Sequence, residues 1–330
     1  MPHEHLQLHP LRCEVSLRVR AGSLLKGCLA SGVLLAVAAC AAPQTARLVE
    51  APGELPPRAE LESVPFFPQT AYYCGPAALA MTLAWSGLEE TPDSVAPQVY
   101  TPGREGTLAP DIVAAARRKG RLAVEIRGLD KLLAEVAAGN PVLVFQNLAL
   151  EWWPQWHFAV VTGYDLERRE IILHSGTTKR LVTPLDAFER TWERSGQWAL
   201  VTLPPDRLPA SRDRRAVLLA AAGLEQAQQH AAAATAYKAI VTRWPKETAA
   251  WIGQGNAWFA LGRFAAAEEA FRAAIAEAPE ATAAWNNLAY ALSRQGRRDE
   301  AIEAARKAVE LAGGDDANYR STLEEVSGSP

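Results

Sequence analysis

Cys74, His157 and Gln69 are the residues whose types and spacing could do chemistry. Cys74 stands where an irregular segment, V-P-F-F-P-Q-T-A-Y-Y, gives way to an apolar run, C-G-P-A-A-L-A-M, which reads as a helix continuing to Trp85. Pro76, just inside that run, has the fixed φ and missing N–H that suit a first helical turn. A thiol at this place faces unsatisfied backbone N–H groups and the positive end of the helix dipole, which favour the thiolate and make it a nucleophile. A nucleophilic cysteine needs a base, and His157 opens an apolar strand, H-F-A-V-V-T-G-Y-D, further along the chain. Gln69, shortly before Cys74, carries an amide donor suited to an oxyanion. The rival reading of an isolated cysteine is a side chain packed at a helix start.

These groups need a frame, and from Val64 to about Leu203 the chain reads as mixed α and β. Shorter helices are predicted at 110–119, 129–138 and 185–194. Strand candidates are P-V-L-V-F-Q from 141, H-F-A-V-V-T-G-Y from 157, E-I-I-L-H from 170 and Q-W-A-L-V-T-L from 197, all rich in β-branched or aromatic residues. Helices precede strands, which predicts an α+β domain whose antiparallel sheet carries the histidine. E-W-W-P-Q-W, residues 151–156, sets three tryptophans directly before His157. They read either as an aromatic wall gripping an extended peptide or as a rim packed onto the sheet.

The segments Q-x4-C-G-P-A-A and H-F-x-V-V-T-G-Y-D, in that order, resemble the papain-like bacteriocin-processing peptidases, which cut leader peptides after double glycines, and their stand-alone relatives. The resemblance implies a papain-like cysteine peptidase domain with Cys74 as nucleophile, His157 as general base and then acid, and Gln69 as oxyanion-hole donor. The family places an Asp on the strand after the histidine strand to orient the imidazole. Along I-I-L-H-S-G-T that slot falls on Ser175, with His174 before it. Ser175 or His174 is then the candidate orienting partner, and neither supplies the negative charge that stabilises an imidazolium. Asp165, at the end of the preceding strand, is a poor substitute. Besides a peptidase, the sequence leaves open a catalytically weak or inactive peptide-binding adaptor and an acyl transferase using the same Cys.

A proline-rich stretch, L-P-P-D-R-L-P-A-S-R-D, reads as a linker over 204–213. Beyond it Trp251 and Trp285, Pro245 and Pro279, and Ala233, Ala267 and Ala301 all recur at a 34-residue period. A large residue early, small residues where helices cross and Pro at the end resemble the tetratricopeptide repeat. Three repeats plus a capping helix are expected over 214–327, forming an all-α solenoid that binds a protein partner.

At the other end, Arg12, Arg18, Arg20 and Lys26 precede the apolar run C-L-A-S-G-V-L-L-A-V-A-A and then Cys40. This reads as a secretory signal over 1–39, and V-A-A-C resembles a bacterial lipobox with Cys40 as the lipidated residue. Residues 40–63 are rich in Pro and polar residues and read as a tether. The expected location is the bacterial cell envelope, at the outer membrane facing the periplasm. Of the cysteines Cys13, Cys28, Cys40 and Cys74, processing leaves one anchor and one free thiol rather than two disulfides. The formal net charge of −3 offers no basic surplus for nucleic acid, and neither metal-ligand spacing nor a cofactor loop is present.

Overall fold

The computed structural model describes residues 42–69, 72–104 and 106–328, so the signal segment and Cys40 lie outside the described residues. In chain order the first domain contains α1 (Pro43–Glu50), β1 (Arg58–Glu60), α2 (Cys74–Trp85), α3 (Pro92–Val99), β2 (Tyr100–Thr101), β3 (Gly106–Thr107), α4 (Ala109–Arg118), β4 (Leu122–Ile126) and α5 (Leu129–Ala137). It continues through β5 (Val142–Asn147), β6 (Trp156–Asp165), β7 (Glu170–Ser175), β8 (Thr178–Pro184), α6 (Leu185–Glu193) and β9 (Ala199–Leu203).

Seven strands form one sheet in the order β4-β9-β5-β6-β7-β8, with β1 paired to the far half of β6. Every pairing is antiparallel. Alternation along β6 divides its neighbours into two cores. Phe158 and Val160 pack under α2 with Leu79, Leu83, Leu143 and Leu200. Ala159 and Val161 face the other core, with Leu132, Val144, Phe188 and Trp192. A bulge between Val161 and Gly163 resets the alternation, so Tyr164 also joins that second core. Helix α2 is buried at every position from Gly75 to Leu83, which is why its sequence shows a continuous apolar run rather than a stripe.

Some elements carried no clear sequence signal. Strand β8, T-K-R-L-V-T-P, is largely exposed at the sheet edge, where its charged residues discourage further pairing, so it reads as polar loop. Helix α3 contains Pro97 and is nucleated by a reciprocal capping box between Thr91 and Ser94.

The described part of the stretch expected as a tether, residues 42–63, is instead folded onto the domain. Fully buried Glu189 accepts from the backbone N–H groups of Gln44 at 2.9 Å and Thr45 at 2.7 Å, in the first turn of α1. Gln44 Oε1 accepts from the Leu129 N–H at 2.8 Å, and the Tyr164 hydroxyl donates to the Pro56 carbonyl at 3.1 Å. Arg180 then forks onto the Glu60 carboxylate of β1 at 2.6 and 2.9 Å. Helix α1 has no side-chain cap of its own, and its cap lies 145 positions away, so no local pattern announces it.

Residues 204–213 contain no regular element but are anchored. Buried Glu135 accepts from the N–H groups of Ala210 at 3.0 Å and Ser211 at 2.9 Å, and from Asn140 Nδ2 at 2.7 Å. The second domain follows with α7 (Arg214–Gln226), α8 (His230–Arg243), α9 (Thr248–Ala260), α10 (Phe264–Glu277), α11 (Thr282–Arg294), α12 (Arg298–Leu311) and α13 (Ala317–Ser327). The periodic Trp and Pro make one recurring bond: Trp251 Nε1 donates to the Pro245 carbonyl and Trp285 Nε1 to that of Pro279, both at 2.8 Å. Helix α13 closes the stack by burying Val326 in the core of α11 and α12. On the other side, Val217, Ala221 and Leu224 of α7 share a core with Leu122 and Val124 of β4. Among the described residues, no helix is long and apolar enough to cross a membrane.

Replacing Glu189 by Ala removes the acceptor for two buried-end N–H groups and should destabilise the domain by about 2–4 kcal/mol. It should also release α1, exposing the bond after Arg47 to trypsin. Unchanged melting and digestion would show that the carboxylate does not hold the segment.

Candidate active site

The thiol is placed by an uncapped helix start. Tyr73 provides no side-chain cap to α2, and the N–H groups of Cys74 itself and of Gly75 act on the sulfur. A third N–H reaches it from Phe158, the residue after His157 on β6. Two local features hold this entry. Tyr72 has φ +66°, a left-handed conformation uncommon for a bulky residue, directly ahead of the helix. Gly75 permits β3 to close on the helix, since a Cβ there would stand 2.4 Å from the Thr107 Cβ. The Tyr73 and Tyr100 rings meet at 5.4 Å on the same side. Cys74 is partly exposed and is the free cysteine among the described residues.

His157 sits at the start of β6 with Nε2 2.8 Å from Ser175 Oγ at the end of β7. His174 turns the other way, as its neighbouring strand position requires. Its Nε2 lies 3.2 Å from the Val64 carbonyl, and its ring meets Phe66 edge-on at 5.4 Å. Of the two candidate orienting partners, Ser175 therefore contacts the imidazole and His174 does not. Asp165 ends the opposite end of β6, roughly 25 Å away along the strand, and accepts from the Arg168 N–H.

Gln69 is brought to the same place through the β7–β8 turn. Its backbone N–H donates to the Gly176 carbonyl at 3.0 Å, and its Oε1 accepts from the Gly176 N–H at 3.1 Å. The side chain is only 8% exposed, and its Nε2 has no partner. An unpaired buried amide donor is costly and suits a site that waits for an acceptor. Gly176 has φ +58°, which a glycine adopts without strain. The contacts run in sequence from Gln69 to Gly176, from adjacent Ser175 to His157, and from adjacent Phe158 to Cys74. Sequence reading found the side chains but missed the backbone groups of Gly176 and Phe158. The S-G dipeptide was the available signal for a turn.

The electrostatics differ from the expected thiolate. Burial pushes the Cys74 thiol up from its ordinary value, outweighing the N–H groups of Phe158, Gly75 and Cys74 that pull it down. Burial likewise pushes the His157 imidazolium down. The resting pair is thus a thiol and a neutral imidazole, because the slot beside His157 holds a hydroxyl instead of a carboxylate.

All three tryptophans are exposed, Trp156 by half. Trp156 stacks on Phe145 of β5 at 5.1 Å and 15°, whereas Trp152 and Trp153 stand 78% and 73% exposed. Among the described residues, no group of three or more His, Cys, Asp or Glu is placed to hold a metal ion.

His157 and His174 are both held below the ordinary 6.5 by burial. Above that value both folded and unfolded chains carry them neutral; below it the unfolded chain takes up protons first, so stability falls with pH. The melting temperature should hold from pH 8 to 7 and drop as pH falls below 6.5, less steeply in His174→Asn. An equal slope in that variant would remove His174 as a contributor.

Comparison with known proteins agrees with this division of the chain. Residues 61–200 match the family described as Peptidase_C39 like, and residues 218–281 and 259–316 match the Tetratricopeptide repeat family. No curated protein matches the chain significantly. Among solved structures, a C39-like peptidase from Bacillus anthracis is 19% identical, covering 44% of this chain and 97% of its own, with a TM-score of 0.38. The Sgt2 tetratricopeptide repeat domain from Aspergillus fumigatus is 19% identical over 36% of this chain and 78% of its own, TM-score 0.34. The type III secretion chaperone SycD of Yersinia enterocolitica, in complex with a peptide of the translocator YopD, is 17% identical over 36% of this chain and 94% of its own, TM-score 0.34. The chain joins a Peptidase_C39-like domain over residues 61–200 to C-terminal tetratricopeptide repeats.

Proposed function

We propose that the first domain is a cysteine peptidase acting through Cys74 and His157. The carrying observation is that hydrogen bonds bring Gln69 to Gly176 and His157 to the adjacent Ser175, while the N–H of Phe158, the residue after His157, acts on the Cys74 sulfur. With Nε2 donating to Ser175, His157 Nδ1 is the acceptor for the thiol proton. The sulfur attacks a peptide carbonyl as that proton leaves, and the oxyanion is held by Gln69 Nε2 and the Cys74 N–H. The C–N bond then breaks while His157 returns the proton to the departing amine. Water, deprotonated by the same imidazole, hydrolyses the acyl-enzyme and restores the thiol.

The second domain binds a protein partner in this reading. A cavity of about 220 Å³ lies among its helices, lined by Asn256, Phe259, Phe271, Asn287 and Tyr290. Its mixture of amide and aromatic groups suits an extended polypeptide. Cys40 carries the lipid and holds the protein at the outer membrane on the periplasmic side. The hydroxyl at Ser175 favours one alternative, an adaptor that binds peptides and cuts them slowly or not at all.

The deciding experiment compares new N termini in envelope proteins exposed to the wild type and to Cys74→Ala. Termini found only with the wild type support hydrolysis and report whether double glycines precede the cut. Identical profiles would favour the adaptor. Gln69→Ala should lower kcat by about 10²-fold or more with little change in KM.

Because catalysis needs a neutral imidazole, kcat/KM should rise along a limb centred below pH 6.5 and stay level through neutrality. Ser175→Asp should raise the imidazolium value and speed iodoacetamide alkylation of Cys74 at pH 6 by about tenfold. An unaltered rate would mean that position 175 does not set the charge of the pair.

A further inference from the structure

Five of the large exposed apolar side chains fall within nine residues, Leu148, Leu150, Trp152, Trp153 and Trp156, on the β5–β6 loop and its exit. That loop is rigidly built. Buried Asn147 accepts through Oδ1 from the N–H groups of Ala149 at 3.1 Å and Gln155 at 3.0 Å, and donates through Nδ2 to the Leu150 carbonyl at 3.3 Å. The Leu148 N–H donates to Gln155 at 2.9 Å, and the Trp153 N–H to Leu150 at 3.2 Å. Arg194 donates to the Asn147 carbonyl at 3.0 and 3.3 Å. A loop held by this many bonds has already lost its backbone freedom, so binding to the side chains it presents costs less ordering.

The loop runs straight into His157, and exposed Tyr72 lies two residues before Cys74 in the chain. From Val142 to Trp156 the chain carries one charge, Glu151, and no Lys or Arg. A surface that docks on anionic lipid pairs its aromatics with free cations, whereas the guanidinium bound to this loop, Arg194, is held on the Asn147 carbonyl. The loop suits instead an uncharged apolar polypeptide segment lying across the site.

We propose that the β5–β6 loop is the substrate-gripping surface of the first domain, and that it selects extended polypeptide segments with large apolar side chains near the reacting carbonyl. The proposal rests on the peptidase reading for its purpose but is tested by binding alone. The test uses the full chain carrying Cys40→Ala and Cys74→Ala, so that neither lipid nor turnover contributes. Fluorescein-labelled, reduced and carboxymethylated α-lactalbumin serves as an unfolded apolar probe, with a Gly/Ser peptide as polar control. Binding is read by anisotropy with and without the exposed pair Trp152→Ala and Trp153→Ala, whose removal leaves the cores untouched.

The expected result is saturable binding of the unfolded probe, none of the polar peptide, and affinity weakened about tenfold or more by the double substitution. Equal affinity with and without the tryptophans overturns the proposal. So does a result in which the tryptophans are needed for binding vesicles of phosphatidylcholine and phosphatidylglycerol, or for dimerisation, while the probe is unaffected. Failure of the peptidase reading shows separately, as identical fragment profiles for wild type and Cys74→Ala.

Discussion

Strand β6 is the constraint on which the rest of the first domain depends. Its backbone pairs with β5, β7 and β1, and its alternating side chains serve two cores. Fixing β6 therefore fixes α2 on one face and α5, α6 and the first repeat on the other. His157 gains its position from this arrangement rather than from a local motif. A histidine one residue from a strand end would fray in isolation, but here the next residue, Phe158, is paired to β5 and pressed by Phe145 and Trp198. The sulfur of Cys74 is registered against the same strand through the Phe158 N–H.

The β7–β8 turn adds a second layer of coupling. Ser175 steadies the base while Gly176 orients the amide of Gln69, so one two-residue turn governs both a proton acceptor and an oxyanion donor. The electrostatic character follows from what the turn lacks. Without a carboxylate, desolvation decides both ionisations, and the pair stays neutral until a substrate arrives.

Much of this was legible in the sequence because it is written locally. The continuous apolar run after Cys74, the β-rich stretch after His157 and the spacing of Trp251 and Trp285 each encode an element through nearby residues. What escaped depends on partners far along the chain. Helix α1 is capped from α6, the 204–213 segment is pinned from α5, and the exposed edge strand β8 shows no apolar alternation. The choice between Ser175 and His174 was equally hidden, since strand parity and the bulges in β6 and β7 decide which one meets the imidazole.

The buried carboxylate of Glu135 and the core shared by α7 and β4 make one body of the sheet and the first repeat. Excising the repeats after Leu203 would strip Val217, Ala221 and Leu224 from the core they share with Leu122 and Val124. The peptidase-like sheet and the first repeat should therefore unfold in one cooperative transition rather than as two separable modules.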